Sequence, residues 1–158
     1  MKQYTINPSS SKPLHILLAD DDHDDRHFFN RALTSLPFHI DFKTIDDGEK
    51  LMKYLIEHSD SLPNILFLDH NMPRKNGSEC LSEIKQNPKL KHLAVIMYST
   101  NLHEDIADIF YENSAHFYIR KTNLTELKKI LSAVITIMTG KKIVRPSREQ
   151  FILSHIEV

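Results

Sequence analysis

Five short apolar runs alternate along this chain with five stretches of helical period, and that alternation leaves few folds open. The runs cover residues 14–19, 39–45, 65–68, 93–98 and 116–120. The third reads Ile65-Leu-Phe-Leu68 without a polar break, between Pro63-Asn64 and a turn cluster holding Pro73 and Gly77. An unbroken run of that length is how a strand buried on both faces of a parallel sheet reads. The second run alternates only imperfectly and is predicted to be an edge strand. Between the runs, apolar residues recur at helical spacing. They are Phe28, Phe29, Ala32, Leu33 and Leu36 before Pro37, then Leu51, Met52, Leu55 and Ile56 after Asp46-Asp47-Gly48. A third set, Cys80, Leu81 and Ile84, starts near Ser78 and stops at Pro88, and a fourth is Ile106, Ile109 and Phe110. The last helix carries Leu124, Leu127, Ile130, Leu131, Val134, Ile135 and Met138, with Asn123 or Thr122 as its cap and Gly140 as its stop. Strict β-α alternation implies a parallel sheet with helices on both faces and right-handed crossovers. Periodicity does not choose between the two common doubly wound strand orders.

With 158 residues the chain has length for one such domain. Residues 1–12 are expected to form a flexible N-terminal arm and 13–140 the folded body. Residues 141–158 fall outside the alternation, as a short helix or an arm packing on a partner. The net charge of −1 excludes a general nucleic-acid footprint, and Lys141, Lys142, Arg145 and Arg148 are too few to make one. The single cysteine, Cys80, has no internal disulfide partner and is expected as a buried small hydrophobe in a reducing compartment. No apolar run approaches the roughly 20 residues that span a bilayer. No membrane association and a cytoplasmic location are therefore expected.

Four of the five strands end on polar groups of complementary chemistry. The first delivers Asp20 and Asp21, the third Asp69, the fourth Ser99 and the fifth Lys121. In a parallel sheet these ends share one rim, where adjacent strands lie about 4.8 Å apart. Three carboxylates so close repel one another unless a cation sits among them. A hard divalent cation with oxygen ligands answers this, and Mg²⁺ suits best because it uses one or two carboxylates plus phosphate oxygens. One carboxylate, Asp69, is then free to attack phosphorus, while a hydroxyl (Ser99) and an ammonium (Lys121) hold phosphoryl oxygens.

The acidic pair after the first strand, the segment Asp69-His-Asn-Met-Pro-x-x-x-Gly77, the strand-end Ser99 and the strand-end Lys121 come in that order over residues 14–140. In this the chain resembles the receiver domain of bacterial two-component response regulators. The resemblance implies a flavodoxin-like five-stranded parallel sheet of order 2-1-3-4-5. It implies Asp69 as phosphoacceptor, Asp21 as a direct Mg²⁺ ligand and Asp20 as a ligand through water, with the backbone carbonyl of Asn71 completing the protein ligands. It implies Tyr118 as the aromatic residue coupled to Ser99: on phosphorylation Ser99 moves inward, Tyr118 follows, and the face of helix four, strand five and helix five changes. The implied partners are a sensor histidine kinase or histidine phosphotransfer protein as donor and a downstream protein target. Output would pass through protein contacts, since no effector domain is recognised. A homodimer through that face, or through the Phe151 to Ile156 patch of the tail, is a further expectation.

Some positions depart from the family pattern. Thr122 follows the lysine where a cis proline is usual, and Thr100 replaces a small residue and is expected to narrow access to Asp69. Asn76 stands where an acidic residue often precedes the glycine, and residues 113–116 lack the usual glycine. Lack of that proline, without an output domain, resembles the stand-alone receivers paired with bacterial phytochrome kinases. A haloacid-dehalogenase-type phosphatase would need a second Asp at position 71, which is Asn, and a cap insertion. The other alternative is a receiver-like interaction module that acts without phosphorylation. His23 and His27 share a helix face, with no third zinc ligand in view.

Overall fold

The computed structural model describes residues 12–140 and 145–153. The elements run β1 (Leu14–Ala19), α1 (His23–Thr34), β2 (Ile40–Ile45), α2 (Gly48–Glu57), β3 (Ile65–Asp69), α3 (Gly77–Gln86), β4 (Ala94–Ser99), α4 (Glu104–Glu112), β5 (Phe117–Arg120) and α5 (Leu124–Met138). After them come one 3₁₀ turn (Arg148–Gln150) and β6 (Ile152–Leu153). The sheet order is β2-β1-β3-β4-β5-β6, with every pair parallel.

The first five strands take the expected order, but the sheet has six strands among the described residues, not five. Residues 152–153 pair with β5 through Tyr118↔Ile152 and Ile119↔Leu153. The described part of the tail therefore packs on its own domain. Phe151, expected on an exposed dimerisation patch, is fully buried. Apart from Lys12, the predicted N-terminal arm lies outside the described residues, as do 141–144 and 154–158.

Alternation along each strand builds two apolar layers. Leu17, Leu66, Leu68, Val95 and Met97 face α2, α3 and α4, where Leu51, Leu55, Leu81, Ile84 and Phe110 meet them. Ile16, Leu18, Phe67, Ile96 and Ile119 face α1 and α5, where Phe29, Leu33, Leu127, Leu131 and Val134 meet them. Ile56 and Ile109, expected to face inward, are 54% and 48% exposed. Each adjoins the apolar stripe of its helix, and these layers are already filled by Leu55 and Phe110.

Side-chain caps fix where the helices start, by accepting from otherwise unpaired N–H groups. Asp22 accepts from Asp25 N at 2.9 Å, Asp47 from Lys50 N at 2.7 Å and Asn123 from Glu126 N at 2.9 Å. Asn76 and Glu79 form a reciprocal capping box, which is the local use of Asn76. α5 ends at Met138 with Thr139 as its C-cap, whose Oγ1 donates to Ile135 O at 2.7 Å, two residues short of Gly140. Gly140 keeps a negative φ and supplies no left-handed cap.

Two glycines let the β3–α3 loop pack tightly beside the sheet. A Cβ on Gly77 would collide with the carbonyl of Asp69, and one on Gly48 with the carbonyl of Lys75. Arg74, in the same loop, adopts φ 67° and donates to Asp47 Oδ2 at 2.9 Å, which ties the loop to the start of α2. A non-glycine residue in that region costs about 1 kcal/mol, which this ion pair helps offset.

Candidate functional site

Register brings the predicted polar residues together. Ala19 pairs with Leu68 across β1 and β3, so Asp20 and Asp69 leave the sheet at the same level. Ser99 pairs with Arg120 across β4 and β5, and Lys121 N donates to Ser99 O at 2.8 Å. Asp20, Asp69 and Ser99 are buried, at 0%, 3% and 4% exposure, whereas Asp21 is exposed. One carboxylate oxygen from each of Asp20, Asp21 and Asp69 lies within 4.8 Å of the other two.

Lys121 reaches into this cluster from the end of β5. Its Nζ lies 2.8 Å from Asp20 Oδ2, 2.8 Å from Asp25 Oδ2 and 3.5 Å from Asp69 Oδ1. Backbone and side-chain donors hold Asp20 further: Asp22 N donates to Asp20 Oδ1 at 3.0 Å and the Arg26 guanidinium to Asp20 O at 2.9 Å. Asn71 is exposed, and its N–H contacts Asp69 Oδ1 at 3.4 Å. Thr100 is exposed beside Ser99 at the rim. The peptide leading into Thr122 is trans, like every other described peptide bond.

Burial and the neighbouring Asp20 charge push the Asp69 carboxyl up to about 7. Burial works against the Lys121 ammonium, but hydrogen bonds to Asp20 and Asp25, with the Asp69 charge behind them, outweigh it and hold this lysine above its ordinary range. The rim thus has more negative charge than one ammonium neutralises. Three convergent carboxylates with hard oxygen donors fit a hard divalent cation.

Ser99 and Tyr118 are joined through one acceptor. Ser99 Oγ donates to Asn101 O at 3.2 Å and Tyr118 OH to the same oxygen at 2.7 Å. Tyr118 is buried at 1% exposure, between Phe110 at 5.1 Å and Phe151 at 6.4 Å between ring centroids. His70, directly after Asp69, packs edge-on to Phe110 at 5.3 Å. His23 and His27 lie outside the acid cluster.

One contact to the site, Asp25 on Lys121, is absent from the sequence reading. Asp25 reads there as an ordinary acidic residue in a first helical turn, and nothing in its spacing points to Lys121.

A doubly wound parallel sheet whose acidic rim is answered by a lysine from the fifth strand defines a class of signalling receivers. The model of the response regulator receiver domain matches residues 16–134, and the chain belongs to that family, with its flavodoxin-like fold. Its relatives include response regulator Rcp1 of Synechocystis sp., 31% identical over 82% of this chain and 91% of that protein. Another is the two-component response regulator ARR6 of Arabidopsis thaliana, 26% identical over 81% of this chain and 73% of that protein. Among solved structures, the phosphorylated cyanobacterial phytochrome response regulator RcpA superposes with a TM-score of 0.74 at 30% identity, covering 86% of this chain and all of that one. The Mn²⁺-bound form of Rcp1 superposes with a TM-score of 0.72 at 31% identity, covering 85% of this chain and all of that one.

Proposed function

We propose that this receiver takes a phosphoryl group onto Asp69 in a two-component phosphorelay and signals through protein contacts. The observation that carries the reading is the convergence of Asp20, Asp21 and Asp69 within 4.8 Å, with Lys121 Nζ reaching in from β5. An Asp69 oxygen attacks phosphorus as the bond from phosphorus to the donor's imidazole nitrogen breaks, and the electron pair of that bond leaves with the imidazole. Asp21 and Asp69, with the Asn71 carbonyl and Asp20 through water, would hold the divalent cation, for which we propose Mg²⁺. Bound there, it supplies positive charge that keeps Asp69 ionised and offsets charge on the transferring group. Lys121 and Ser99 hold the remaining phosphoryl oxygens.

The switch follows from magnitudes. Phosphorylation adds roughly −1.5 to −2 charges. Charge-assisted hydrogen bonds contribute about 1.5–3 kcal/mol each. Two of them approach the roughly 5.5 kcal/mol that turns a 1:99 equilibrium into 99:1. If Ser99 leaves Asn101 O for a phosphoryl oxygen, Tyr118 loses its companion on that carbonyl, and α4 and β5 feel the change. Thr100, exposed next to Ser99, modulates access to Asp69.

The donor is a histidine kinase or histidine phosphotransfer protein, with the protein acting as phosphoacceptor rather than as a turnover enzyme. The likeness to the phytochrome response regulator RcpA supports a kinase of the phytochrome type. The α4–β5–α5 face is assigned to a downstream protein or a second copy of the chain, and no role is assigned to nucleic acid. No described helix is long and apolar enough to cross a membrane, and a cytoplasmic location is part of the proposal. So is the division into an N-terminal arm, 1–12, a receiver body, 13–140, and a tail, 141–158, whose residues 152–153 add the sixth strand to the body's sheet.

Acetyl phosphate with Mg²⁺, followed by intact-protein mass spectrometry, tests the reading. The wild type is expected to gain one phosphoryl group and Asp69→Ala none. Continuous consumption of the donor without mass gain would indicate a phosphatase. No gain and no consumption would indicate an interaction module that works without phosphorylation.

A further inference from the structure

The ammonium of Lys121 is held by a second carboxylate outside the predicted acid cluster. Asp25 Oδ2 lies 2.8 Å from Nζ, as close as Asp20 and closer than Asp69 at 3.5 Å. The first turn of α1 places Asp25 there, since Asp22 caps the helix by accepting from Asp25 N at 2.9 Å. Among the described residues, Lys121 is the one cation that Asp25 contacts. The neighbouring Arg26 instead donates to the backbone of Asp20.

An ammonium has three N–H donors, and here they face three carboxylates. A divalent cation bound by Asp20, Asp21 and Asp69 withdraws two of them from Lys121 and leaves Asp25. A phosphoryl group on Asp69 then offers new anionic oxygens to the same ammonium, in competition with Asp25. We infer that Asp25 is a positioning residue that parks Lys121: it draws the ammonium away from the acid cluster so that a divalent cation can bind, and it yields the ammonium when a phosphoryl oxygen arrives. This rests on the assignment of Asp69 as phosphoacceptor.

The two steps respond to Asp25 with opposite sign. Without its charge, Lys121 settles on Asp20 and Asp69 and competes with the cation. Without its charge, Lys121 is also freer to meet a phosphoryl oxygen. Loss of charge alone is controlled by Asp24→Asn, one residue earlier in the same turn, because the Asp24 side chain is fully exposed and does not touch Lys121.

The experiment compares wild type, Asp25→Asn and Asp24→Asn in two titrations, with a thermal melt to verify folding. Mg²⁺ binding is followed by tyrosine fluorescence, since the chain lacks tryptophan and the Tyr98 ring lies 5.1 Å from Lys121 Nζ. Beryllofluoride, the phosphoryl mimic, is then titrated at saturating Mg²⁺. Relative to Asp24→Asn, Asp25→Asn is expected to weaken Mg²⁺ about two- to fivefold and to tighten beryllofluoride by a similar factor, the range set by partly exposed ion pairs. Equal behaviour of the two variants, or weakening in both titrations, overturns the inference while leaving Asp69 in place. A wild type that binds Mg²⁺ but no beryllofluoride overturns the Asp69 assignment and this inference with it.

Discussion

The acidic rim and the β6 edge both set charged residues against the body of the fold, in opposite ways. At the rim the charges are inside: Asp20 and Asp69 are buried beside each other, and the ordinary ionisation of Asp69 is opposed. At the edge the charges are outside and the apolar group is inside. Phe151 is fully buried against Tyr111 and Tyr118, and its carbonyl accepts from Tyr118 N at 3.0 Å. Arg148 lies over this layer, pairing with Glu104 at 2.6 Å and Asp108 at 2.8 Å, whose side chains are 78% and 58% exposed. The contrast separates two uses of charge. Buried like charges tax stability and hold chemistry ready, whereas exposed ion pairs add little and orient a segment that apolar burial anchors.

The largest effect expected from this contrast is at Phe151. Phe151→Ala should lower the free energy of unfolding by about 3 kcal/mol, as for other fully buried aromatics, while leaving Mg²⁺ affinity unchanged, because Phe151 packs on Tyr111 and Tyr118 and not on the acid cluster of Asp20, Asp21 and Asp69. Denaturant unfolding and a Mg²⁺ titration check both halves. A loss below about 1 kcal/mol would make β6 an appended strap rather than part of the cooperative fold.

At the rim the sign reverses. Because the Asp69 pKa is raised from 3.8 to about 7, the folded protein binds this proton more tightly than the unfolded chain does. Its contribution is most favourable below pH 4 and declines as pH rises to about 7. The full shift corresponds to a ceiling of about 4 kcal/mol, reduced in practice by relaxation around the site. In chelator at pH 7.5, Asp69→Asn is therefore expected to stabilise the protein by about 2 kcal/mol, with the gain shrinking toward pH 5. Saturating Mg²⁺ should remove the wild type's deficit. Unfolding curves of both proteins across that pH range make the measurement, and a variant less stable than wild type at pH 7.5 would contradict the account of the rim.

The smallest effect is at Arg148. Arg148→Ala should cost about 1 kcal/mol or less, and added salt should erase the difference. A larger, salt-resistant loss would mean that the ion pairs, and not Phe151, hold the tail in place.

The strands were legible because a strand covered on both faces must be apolar throughout, and the polar residue that ends it shows where the sheet meets solvent. Asp20, Asp69, Ser99 and Lys121 could be grouped for that reason before any coordinates. β6 was not legible, because two residues carry no period and their pairing with β5 depends on contacts far along the chain. The exposure of Ile56 and Ile109 was hidden for a related reason: spacing gives the direction of an apolar stripe but not its width. Asp25 was masked by a sufficient local explanation, since an acid in a first helical turn already suits the helix dipole. Ser99 and Tyr118 were paired through the family resemblance, yet the shared acceptor on Asn101 lies in backbone that sequence does not display.

Lys121 follows Asp20 by 101 positions, and the ammonium that steadies the rim is supplied only after four strands and four helices have been made. An unfinished or misfolded chain carries the carboxylates without their counter-charge. The counter-charge of the rim is therefore in place only in molecules whose fold includes the fifth strand, which makes the completed sheet a condition for a balanced rim.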